Sequence, residues 1–453
     1  MEQDIPENSQ EESEEREELI EIGSQEDCGT LIDTEEKARK ALLVGAYKGN
    51  REKDDCFAHL EELERLADTL GLETAEKIAC HLRKVDASTY IGSGKVEELV
   101  GLALSLDCEV IIFDNEISPS QQRNLEKHFE KQVMDRTELI IEVFAQRAQT
   151  HEAKIQIEIA RIRYQAPRLK RLWTHLSRQK GGGVHSKGDG ETQLEIDKQL
   201  LQKDLLRFQG ELKEVRKNRE NQKKARKRNL IPSFAIVGYT NAGKSTLMNS
   251  LTEADVLAED KLFATLDTIT RKFLLPNHQE ILLTDTVGFI RKIPHTLVEA
   301  FKSTLEESVD ADILLHLVDV SHPHVKEQFA EVIKVLEELK ADEKPIITVL
   351  NKVDVVEDSS IINYMRIHHP KTVCISAKTK EGIDDLFDLI TKEIKKRRRT
   401  FACRIPQSEY GLVSEVIEKG NVIFQDYEEN DVVLRVEVPV ELAAKLSLYG
   451  EEI

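Results

Sequence analysis

The sequence has few cysteines and no long apolar run. Its six cysteines are scattered and form no C-x-x-C pair, which argues against a zinc site and indicates a reducing compartment. No stretch approaches the roughly 20 apolar residues that cross a bilayer. The acidic N-terminus has no signal-peptide pattern. We therefore expect a soluble cytoplasmic protein, with peripheral membrane association left open. The protein is separately expected to be a monomer.

An overall basic excess is also lacking, since the net charge is −20 over 453 residues. The acids are concentrated at the start, where residues 1–36 hold 15 acids and one base. This segment is expected to be a disordered tail. Its composition is compatible with solubility alone and with mimicry of nucleic acid that shields a basic site.

Basic residues form three clusters further along the chain. Residues 145–190 contain ten Lys and Arg against three acids, residues 198–228 contain twelve against four, and residues 395–399 are all basic. Such clusters are typical of nucleic-acid-binding surfaces. A solvated helix face is the ordinary alternative.

The strongest functional signal is the segment Gly238–Ser245, which has the G-x-x-x-x-G-K-S spacing of a phosphate-binding loop. An apolar run at residues 233–237 predicts a buried strand before it, and a helix is expected to begin near Lys244. The N-terminus of that helix favours bound phosphate. Lys244 is expected to bridge the β- and γ-phosphates, and Ser245 is expected to ligate Mg²⁺.

Two further segments are expected near the γ-phosphate. Asp285 follows a strand-like run and is predicted to hold Mg²⁺ through a water, while the backbone N–H of Gly288 meets the γ-phosphate. The segment Phe263–Asp267 lies on a polar, irregular stretch. Thr265 is its candidate for a second Mg²⁺ ligand, with an ordinary loop threonine as the alternative.

A third motif, Asn351-Lys352-Val353-Asp354, predicts selection of the base. The carboxylate of Asp354 can accept from N1–H and the exocyclic amine of guanine, a donor pair that adenine lacks. Asn351 and the stem of Lys352 support the base, and Ser376–Lys378 fits the loop whose backbone N–H meets guanine O6. Three motifs in this order predict a GTPase that switches between GTP and GDP. The predicted GTP-binding residues are Gly238, Tyr239, Thr240, Asn241, Ala242, Gly243, Lys244, Ser245, Thr246, Phe263, Ala264, Thr265, Leu266, Asp267, Asp285, Thr286, Val287, Gly288, Asn351, Lys352, Val353, Asp354, Ser376, Ala377 and Lys378.

The chain lacks the glutamine that many GTPases use in hydrolysis. Many GTPases place a glutamine directly after Asp-x-x-Gly to orient the attacking water, and here that position is Phe289. We therefore expect slow hydrolysis alone, with another residue, an ion or a partner supplying the function. Asn241 matches the position of a potassium ligand in potassium-activated GTPases, or it only shapes the loop.

The chain is expected to be α/β: a P-loop GTPase domain preceded by a small α/β domain with a long antiparallel helical hairpin, and followed by a small α+β appendage. The expected segments are an acidic tail (1–36), an α/β subdomain (37–135), the hairpin (136–230), the GTPase domain (231–396) and the C-terminal domain (400–453). In the α/β subdomain, Gly92–Lys95 resembles a truncated phosphate loop, although an ordinary strand-to-helix turn is the favoured interpretation.

Two long helices, 139–164 and about 191–228, are expected to form the hairpin through apolar stripes. A glycine-rich tract at 181–190 joins them, either as a floppy connector or as a tip that inserts into folded RNA, which is recognised largely by shape and phosphate. The predicted RNA-binding residues are Arg168, Lys170, Arg171, Arg178, Lys180 and Lys187.

These motifs together resemble the HflX family of ribosome-associated GTPases. The matching stretches are Tyr90–Val96, Asp135–Thr137, the tract that leads into Gly190–Glu195, Gly238–Ser245, Phe263–Asp267 and Asp285–Phe289. The resemblance covers roughly residues 40–453. It implies that the GTP-loaded protein binds the large ribosomal subunit and its rRNA, with roles in splitting stalled ribosomes under stress or in large-subunit assembly. It also implies that some members bind or hydrolyse ATP.

The chain departs from the family pattern at two places. The glycine-rich tract reads Lys187-Gly188-Asp189-Gly190 where the family has Arg-Gly-Pro-Gly, so the loop gains a negative charge. Thr268 stands where the family has proline after Asp267, which makes the loop of Thr265 more mobile.

Overall fold

The computed structural model describes residues 38–49, 52–169, 189–228, 231–252, 262, 263, 265–292, 297, 310–356, 359–428 and 430–453. Three β-sheets organise these residues. Among the described residues, no helix is both long and apolar enough to span a bilayer. The acidic segment 1–36 lies outside the described residues.

The first sheet is parallel and is covered by helices on both faces. Its strands are β1 (Arg39–Tyr47), β2 (Leu72–His81), β3 (Val110–Phe113) and β4 (Gln132–Asp135), in the order β2-β1-β3-β4. Its helices are α1 (Glu52–Thr69), α2 (Ser93–Ser105), α3 (Pro119–Phe129) and α4 (Arg136–Arg147). Side chains alternate along β1, so that Leu43 belongs to the core with α1 and α4 while Leu42 belongs to the core with α2 and α3.

The predicted helix over 139–164 is wrong, because the structure has two helices there. Helix α4 ends at Arg147, and α5 spans His151–Gln165. Ala148 is extended at φ −66° and ψ 120°, and the Thr150 side chain accepts the N–H of Ala153 as the N-cap of α5. This threonine starts a new helix, which the apolar periodicity alone does not reveal.

A 40-residue helix, α6 (Asp189–Arg228), packs against α5. Ile155 and Ile159 of α5 contact Leu212 of α6, with Leu205 and Phe208 half-buried beside them. These residues come from the two predicted apolar stripes. The glycine-rich tract that joins the helices lies outside the described residues, except for Asp189 and Gly190 at the start of α6.

The second sheet has six strands. They are β5 (Ser233–Gly238), β6 (Ile269–Leu274), β7 (Glu280–Asp285), β8 (Ile313–Asp319), β9 (Ile346–Asn351) and β10 (Thr372–Cys374). The order is β10-β9-β8-β5-β7-β6, and only β6 runs antiparallel to its neighbour. Its helices are α7 (Lys244–Thr252), α8 (Val325–Glu338), α9 (Ser360–His368) and α10 (Ile383–Lys395). Because β5, β7 and β9 are parallel, the three sequence motifs that follow them meet at one edge of the sheet.

The third sheet is antiparallel, with the order β12-β13-β11-β14. Its strands are β11 (Arg398–Pro406), β12 (Asn421–Glu428), β13 (Asp431–Pro439) and β14 (Gly450–Glu452), with helices α11 (Tyr410–Lys419) and α12 (Val440–Leu446). This sheet and its two helices form the small α+β appendage that the sequence predicts. The short strand β14 was not predicted, because its three residues carry no apolar alternation.

Candidate nucleotide site

The phosphate loop joins β5 to α7. Gly243 has φ +93°, a conformation that side chains rarely adopt, and a Cβ there would lie 2.4 Å from Nδ2 of Asn351. The loop therefore requires glycine at this position for two reasons, one conformational and one steric. Helix α7 begins at Lys244, as the spacing predicts.

Lys244 is buried within the loop. Its ammonium donates to the carbonyl oxygens of Tyr239 at 2.8 Å and Gly238 at 3.3 Å. Burial lowers the pKa of Lys244 to about 8, against the opposing effect of Asp285. The low-dielectric surroundings strengthen the attraction between this ammonium and a phosphate.

Three side-chain oxygens meet beside Lys244. The Ser245 hydroxyl donates to Oδ2 of Asp285 at 2.8 Å and lies 2.7 Å from Oγ1 of Thr265, which is 3.3 Å from the same carboxylate oxygen. Among the described residues, the buried Oδ1 of Asp285 has no hydrogen-bond partner. Burial raises the pKa of Asp285, and Lys244 and the two hydroxyls oppose that shift. Hard oxygen donors of this kind suit Mg²⁺, so the residues fit the ion.

Gly288 brings the Asp-x-x-Gly segment directly onto the phosphate loop. A Cβ at this position would lie 2.8 Å from Cγ2 of Thr240 and 2.9 Å from Nζ of Lys244. Its neighbour Phe289 donates its N–H to the Gly238 carbonyl at 3.1 Å and accepts the Thr240 N–H at 2.8 Å. The Phe289 ring is buried in the core, so it neither reaches the loop mouth nor orients a water.

Asn351 connects all three parts of the site. Its Nδ2 donates to the Ala242 carbonyl at 2.8 Å, and its Oδ1 accepts the Ala377 N–H at 2.9 Å. Lys352 has φ +64° and forms an ion pair with Asp319 at 2.7 Å. The Ala377 N–H, which belongs to the loop predicted to meet guanine O6, is already engaged by Asn351.

The remaining base-contacting residues surround the same edge. Asp354 is exposed on the short 3₁₀ turn Val353–Val355, and Ser376 is buried with its hydroxyl accepting the Thr379 N–H at 3.2 Å. An exposed carboxylate beside Asn351 is accessible to an incoming base. Thr246 lies in the first turn of α7, directly after Ser245.

Three residues predicted to bind GTP have side chains that contact α4 and α5 in the structure. Phe263 packs edge-on against Phe144 of α4 with ring centroids 4.5 Å apart, and Leu266 belongs to the same core. Asp267 accepts the backbone N–H groups of Gln149 and Thr150, both at 3.1 Å, and also the Thr150 hydroxyl. Tertiary packing with α4 and α5 accounts for these three side chains. Ala264 lies outside the described residues.

A second contact between the first two sheets was not predicted. The Tyr239 hydroxyl donates to Glu62 of α1 at 2.6 Å and accepts the Arg291 N–H at 2.8 Å. Arg136 pairs with Glu62 at 3.1 Å and donates to the Arg291 carbonyl at 3.1 Å. The phosphate loop and α1 are therefore linked through one network of hydrogen bonds and an ion pair. Arg136 lies in one of the motif stretches, Asp135–Thr137, which is the only sequence signal that marks the network.

Asp114 completes this network at the end of β3. It pairs with Arg136 at 2.9 Å and with Lys292 at 2.5 Å. Burial raises the pKa of Asp114, but Arg136 and Lys292 outweigh burial and hold the pKa below its usual value. The carboxylate is thus ionised and holds the segment after Gly288 against the first sheet.

The structure also corrects the predicted RNA-binding residue Arg168. Its side chain is buried, pairs with Asp135 at 3.3 Å, and donates to Gln122 at 3.0 Å and to the Ile117 carbonyl at 2.9 Å. These contacts leave it no role at a phosphate on the surface. The other predicted RNA-binding residues lie outside the described residues: Lys170, Arg171, Arg178, Lys180 and Lys187.

The parallel sheet, the phosphate loop and the Asn-Lys-x-Asp motif at one sheet edge define a P-loop GTPase. Three family models match the chain in order: "GTP-binding GTPase N-terminal" at 58–145, "GTP-binding GTPase Middle Region" at 147–226 and "50S ribosome-binding GTPase" at 233–352. The chain belongs to the HflX family of GTPases, and it binds and hydrolyses GTP.

Curated relatives carry the assignment. "GTPase HflX" of Chlamydia pneumoniae is 46% identical over 415 residues, covering 91% of this chain and 88% of the relative. "GTPase HflX" of Escherichia coli K12 is 40% identical over 413 residues, covering 90% and 96%. Among solved structures, "crystal structure of SsGBP and GDP complex" is 25% identical with a TM-score of 0.47, covering 78% of this chain and 98% of that one.

Proposed function

We propose that this GTPase is a switch that binds the large ribosomal subunit and its rRNA in the GTP state and dissociates or rescues stalled ribosomes under stress. The family model over 233–352 carries the description "50S ribosome-binding GTPase", which supports the partner. The basic clusters within 145–190 and 198–228 support RNA contact. Lys170, Arg171, Arg178, Lys180 and Lys187 are the proposed RNA contacts. The protein acts as a cytoplasmic monomer.

The observation that carries the proposal is the position of Asp267. This residue lies two positions after Thr265, the proposed Mg²⁺ ligand, and its carboxylate accepts hydrogen bonds at the start of α5. Helix α5 in turn packs on α6. A change of the Thr265 segment between GTP and GDP therefore acts on the first turn of the helical pair. We infer that this contact passes the nucleotide state to the ribosome-binding part.

Ser245 and Thr265 are the proposed direct Mg²⁺ ligands, and Asp285 holds the ion through a water. When bound, the ion neutralises charge that develops on the β- and γ-phosphates. Lys244 binds the same phosphates, and the Gly288 N–H meets the γ-phosphate. These residues bind and orient GTP, whereas Phe289 contributes no group to the attacking water.

Guanine is selected by Asp354, with Asn351 holding the base loop to the phosphate loop. Hydrolysis is slow without a partner because the water-orienting glutamine is absent, and the large subunit accelerates it. Asn241 is the proposed ligand of a potassium ion that adds positive charge at the phosphates. The segments 1–36, 37–135, 136–230, 231–396 and 400–453 are the proposed functional divisions.

Dissociation of intact ribosomes tests the proposal. Ribosomes are mixed with the protein and GTP, a non-hydrolysable GTP analogue or GDP, and the subunits are resolved by sedimentation. We expect splitting with GTP and with the analogue, and little with GDP. Equal behaviour with GTP and GDP contradicts a nucleotide switch.

The same experiment separates splitting from the alternative, an assembly or anti-association factor in which binding is the working step. Such a factor leaves intact ribosomes whole but prevents purified subunits from joining. It also associates with precursor large subunits in preference to mature ones. Either result favours an assembly or anti-association factor over a ribosome-splitting factor.

A further inference from the structure

The position after Asp-x-x-Gly, where many GTPases have a water-orienting glutamine, is Phe289 in this chain. The Phe289 ring is buried in the core, and its backbone N–H and carbonyl both bond to the phosphate loop. No rearrangement of this residue alone presents a donor to the nucleotide. Any such donor therefore comes from another position or another molecule.

A cavity is lined in part by the phosphate loop. Thr240 and Asn241 of the loop form one wall, and Arg65 of α1, Arg291 and His322 are among the residues that form the others. Two arginine side chains therefore line the same space as the central residues of the phosphate loop. Acidic groups line it as well, but Asp319 is paired with Lys352 at 2.7 Å.

Arg291 is held in this cavity by its backbone. Its N–H donates to the Tyr239 hydroxyl at 2.8 Å, and its carbonyl accepts from Arg136 at 3.1 Å. Tyr239 is itself part of the phosphate loop. The Cα of Arg291 is thus fixed relative to the nucleotide site, which limits the places that its guanidinium can reach.

The guanidinium of Arg291 has an unused donor. Its Nη2 is buried without a hydrogen-bond partner among the described residues, and the same is true of the Thr240 hydroxyl in the wall of the cavity. A buried donor left unpaired costs about 1–3 kcal/mol. Such groups in a native structure call for a functional reason, and a phosphate oxygen is an acceptor for both kinds of donor.

We propose that Arg291 is a catalytic residue that donates from its guanidinium to the γ-phosphate and stabilises the charge of the transition state. The arginine comes from the same chain, three positions after Gly288, and adds charge stabilisation at a site that lacks the water-orienting glutamine. Always-charged, planar guanidinium groups suit phosphate geometry. Removal of one such preorganised donor lowers turnover by about 100- to 1000-fold.

Turnover of GTP by the protein alone tests this assignment, and it does so independently of any ribosome. Arg291→Ala is compared with wild type for kcat, KM and GDP affinity. We expect kcat to fall by about 100-fold, with KM and GDP affinity close to wild type. Arg291→Lys keeps the charge without the planar fork and recovers part of the loss.

Two further variants make the result specific. Arg271→Ala removes an exposed arginine from β6 and is expected to turn over GTP like wild type. Arg65→Ala removes the other arginine of the cavity, and it is expected to lower kcat far less than Arg291→Ala. Unchanged kcat in Arg291→Ala, a loss that appears in GDP affinity rather than kcat, or a larger loss in Arg65→Ala overturns the proposal. If Arg291→Ala fails to fold, Arg291→Lys with wild-type kcat overturns it equally.

Discussion

Replacing Asp267 by alanine is expected to loosen the first turn of α5 without disturbing the phosphate loop. The carboxylate accepts the N–H groups of Gln149 and Thr150, both at 3.1 Å, and the Thr150 hydroxyl. Loss of a helix N-terminal cap costs about 0.5–2 kcal/mol. Because water can replace part of these bonds at a half-exposed site, we expect the free energy of local opening to fall by about 1–2 kcal/mol. The equilibrium constant for opening then rises about 5- to 30-fold.

Amide hydrogen exchange measures this opening directly. Exchange at residues 149–154 is expected to accelerate by about 5- to 30-fold in Asp267→Ala, while amides in the last turn of α5 change little. Nucleotide affinity stays close to wild type, since Asp267 contacts α5 rather than the phosphate loop. Large-subunit stimulation of GTP turnover is expected to fall, because the contact between the nucleotide site and α5 is weakened.

Asp86 provides a matched control. Its carboxylate accepts two adjacent backbone N–H groups, of Ser88 at 2.7 Å and Thr89 at 3.1 Å, and the Thr89 hydroxyl at 3.3 Å. All of these partners lie beside the first sheet. Asp86→Ala is expected to accelerate exchange near Ser88 only, with stimulation by the large subunit preserved. Unchanged exchange at 149–154 in Asp267→Ala, or equal loss of stimulation in both variants, refutes the coupling.

Three other perturbations have defined outcomes. Arg168→Ala leaves Asp135 buried without its cation and is expected to lower the free energy of unfolding, measured by thermal denaturation, by about 3–5 kcal/mol. The partly exposed ion pairs of Arg161 predict a loss below about 1 kcal/mol for Arg161→Ala. Burial, aided by Lys292, lowers the pKa of His59 to about 4 in the folded protein. In the unfolded chain, His59 has the ordinary histidine pKa of about 6.5 and therefore binds a proton that the folded protein does not bind between pH 6.5 and 4. The free energy of unfolding is thus expected to fall over this range by up to about 3 kcal/mol. Urea titrations of His59→Gln should show a free energy of unfolding that depends less on pH. A potassium ion held by Asn241 predicts that GTP turnover is faster in potassium than in sodium. Equal rates in the two salts contradict a potassium site at Asn241.

Features that depend on contiguous residues were predictable. The phosphate loop requires glycine at Gly243, a lysine and a hydroxyl at fixed spacing, because backbone and side chains close around the same phosphates. The parallel order of the second sheet then places Asp285 and Asn351 beside that loop, as their positions after strand-like runs predict. The α+β character of the C-terminal segment was also predictable, whereas the short strand β14 was not.

Features that depend on distant partners were not predictable. Asp267 and Thr150 are 117 residues apart, and no local pattern pairs them. Arg168 looks like a surface cation in a basic segment, yet tertiary packing buries it against Asp135. The break between α4 and α5 depends on a single N-cap threonine within an otherwise continuous helical pattern. For Asp267 and Arg168 a contact from another part of the chain decides the outcome, whereas the local cap of Thr150 on Ala153 decides the helix break.

GTP turnover measured with the protein alone and with purified large ribosomal subunits decides whether the ribosome activates this GTPase. We expect slow turnover alone and strong stimulation by large subunits, with stimulation reduced in a variant lacking residues 181–190. Small subunits serve as the control and are expected to leave the rate unchanged. Turnover that is the same with and without large subunits contradicts the claim that the ribosome activates this switch.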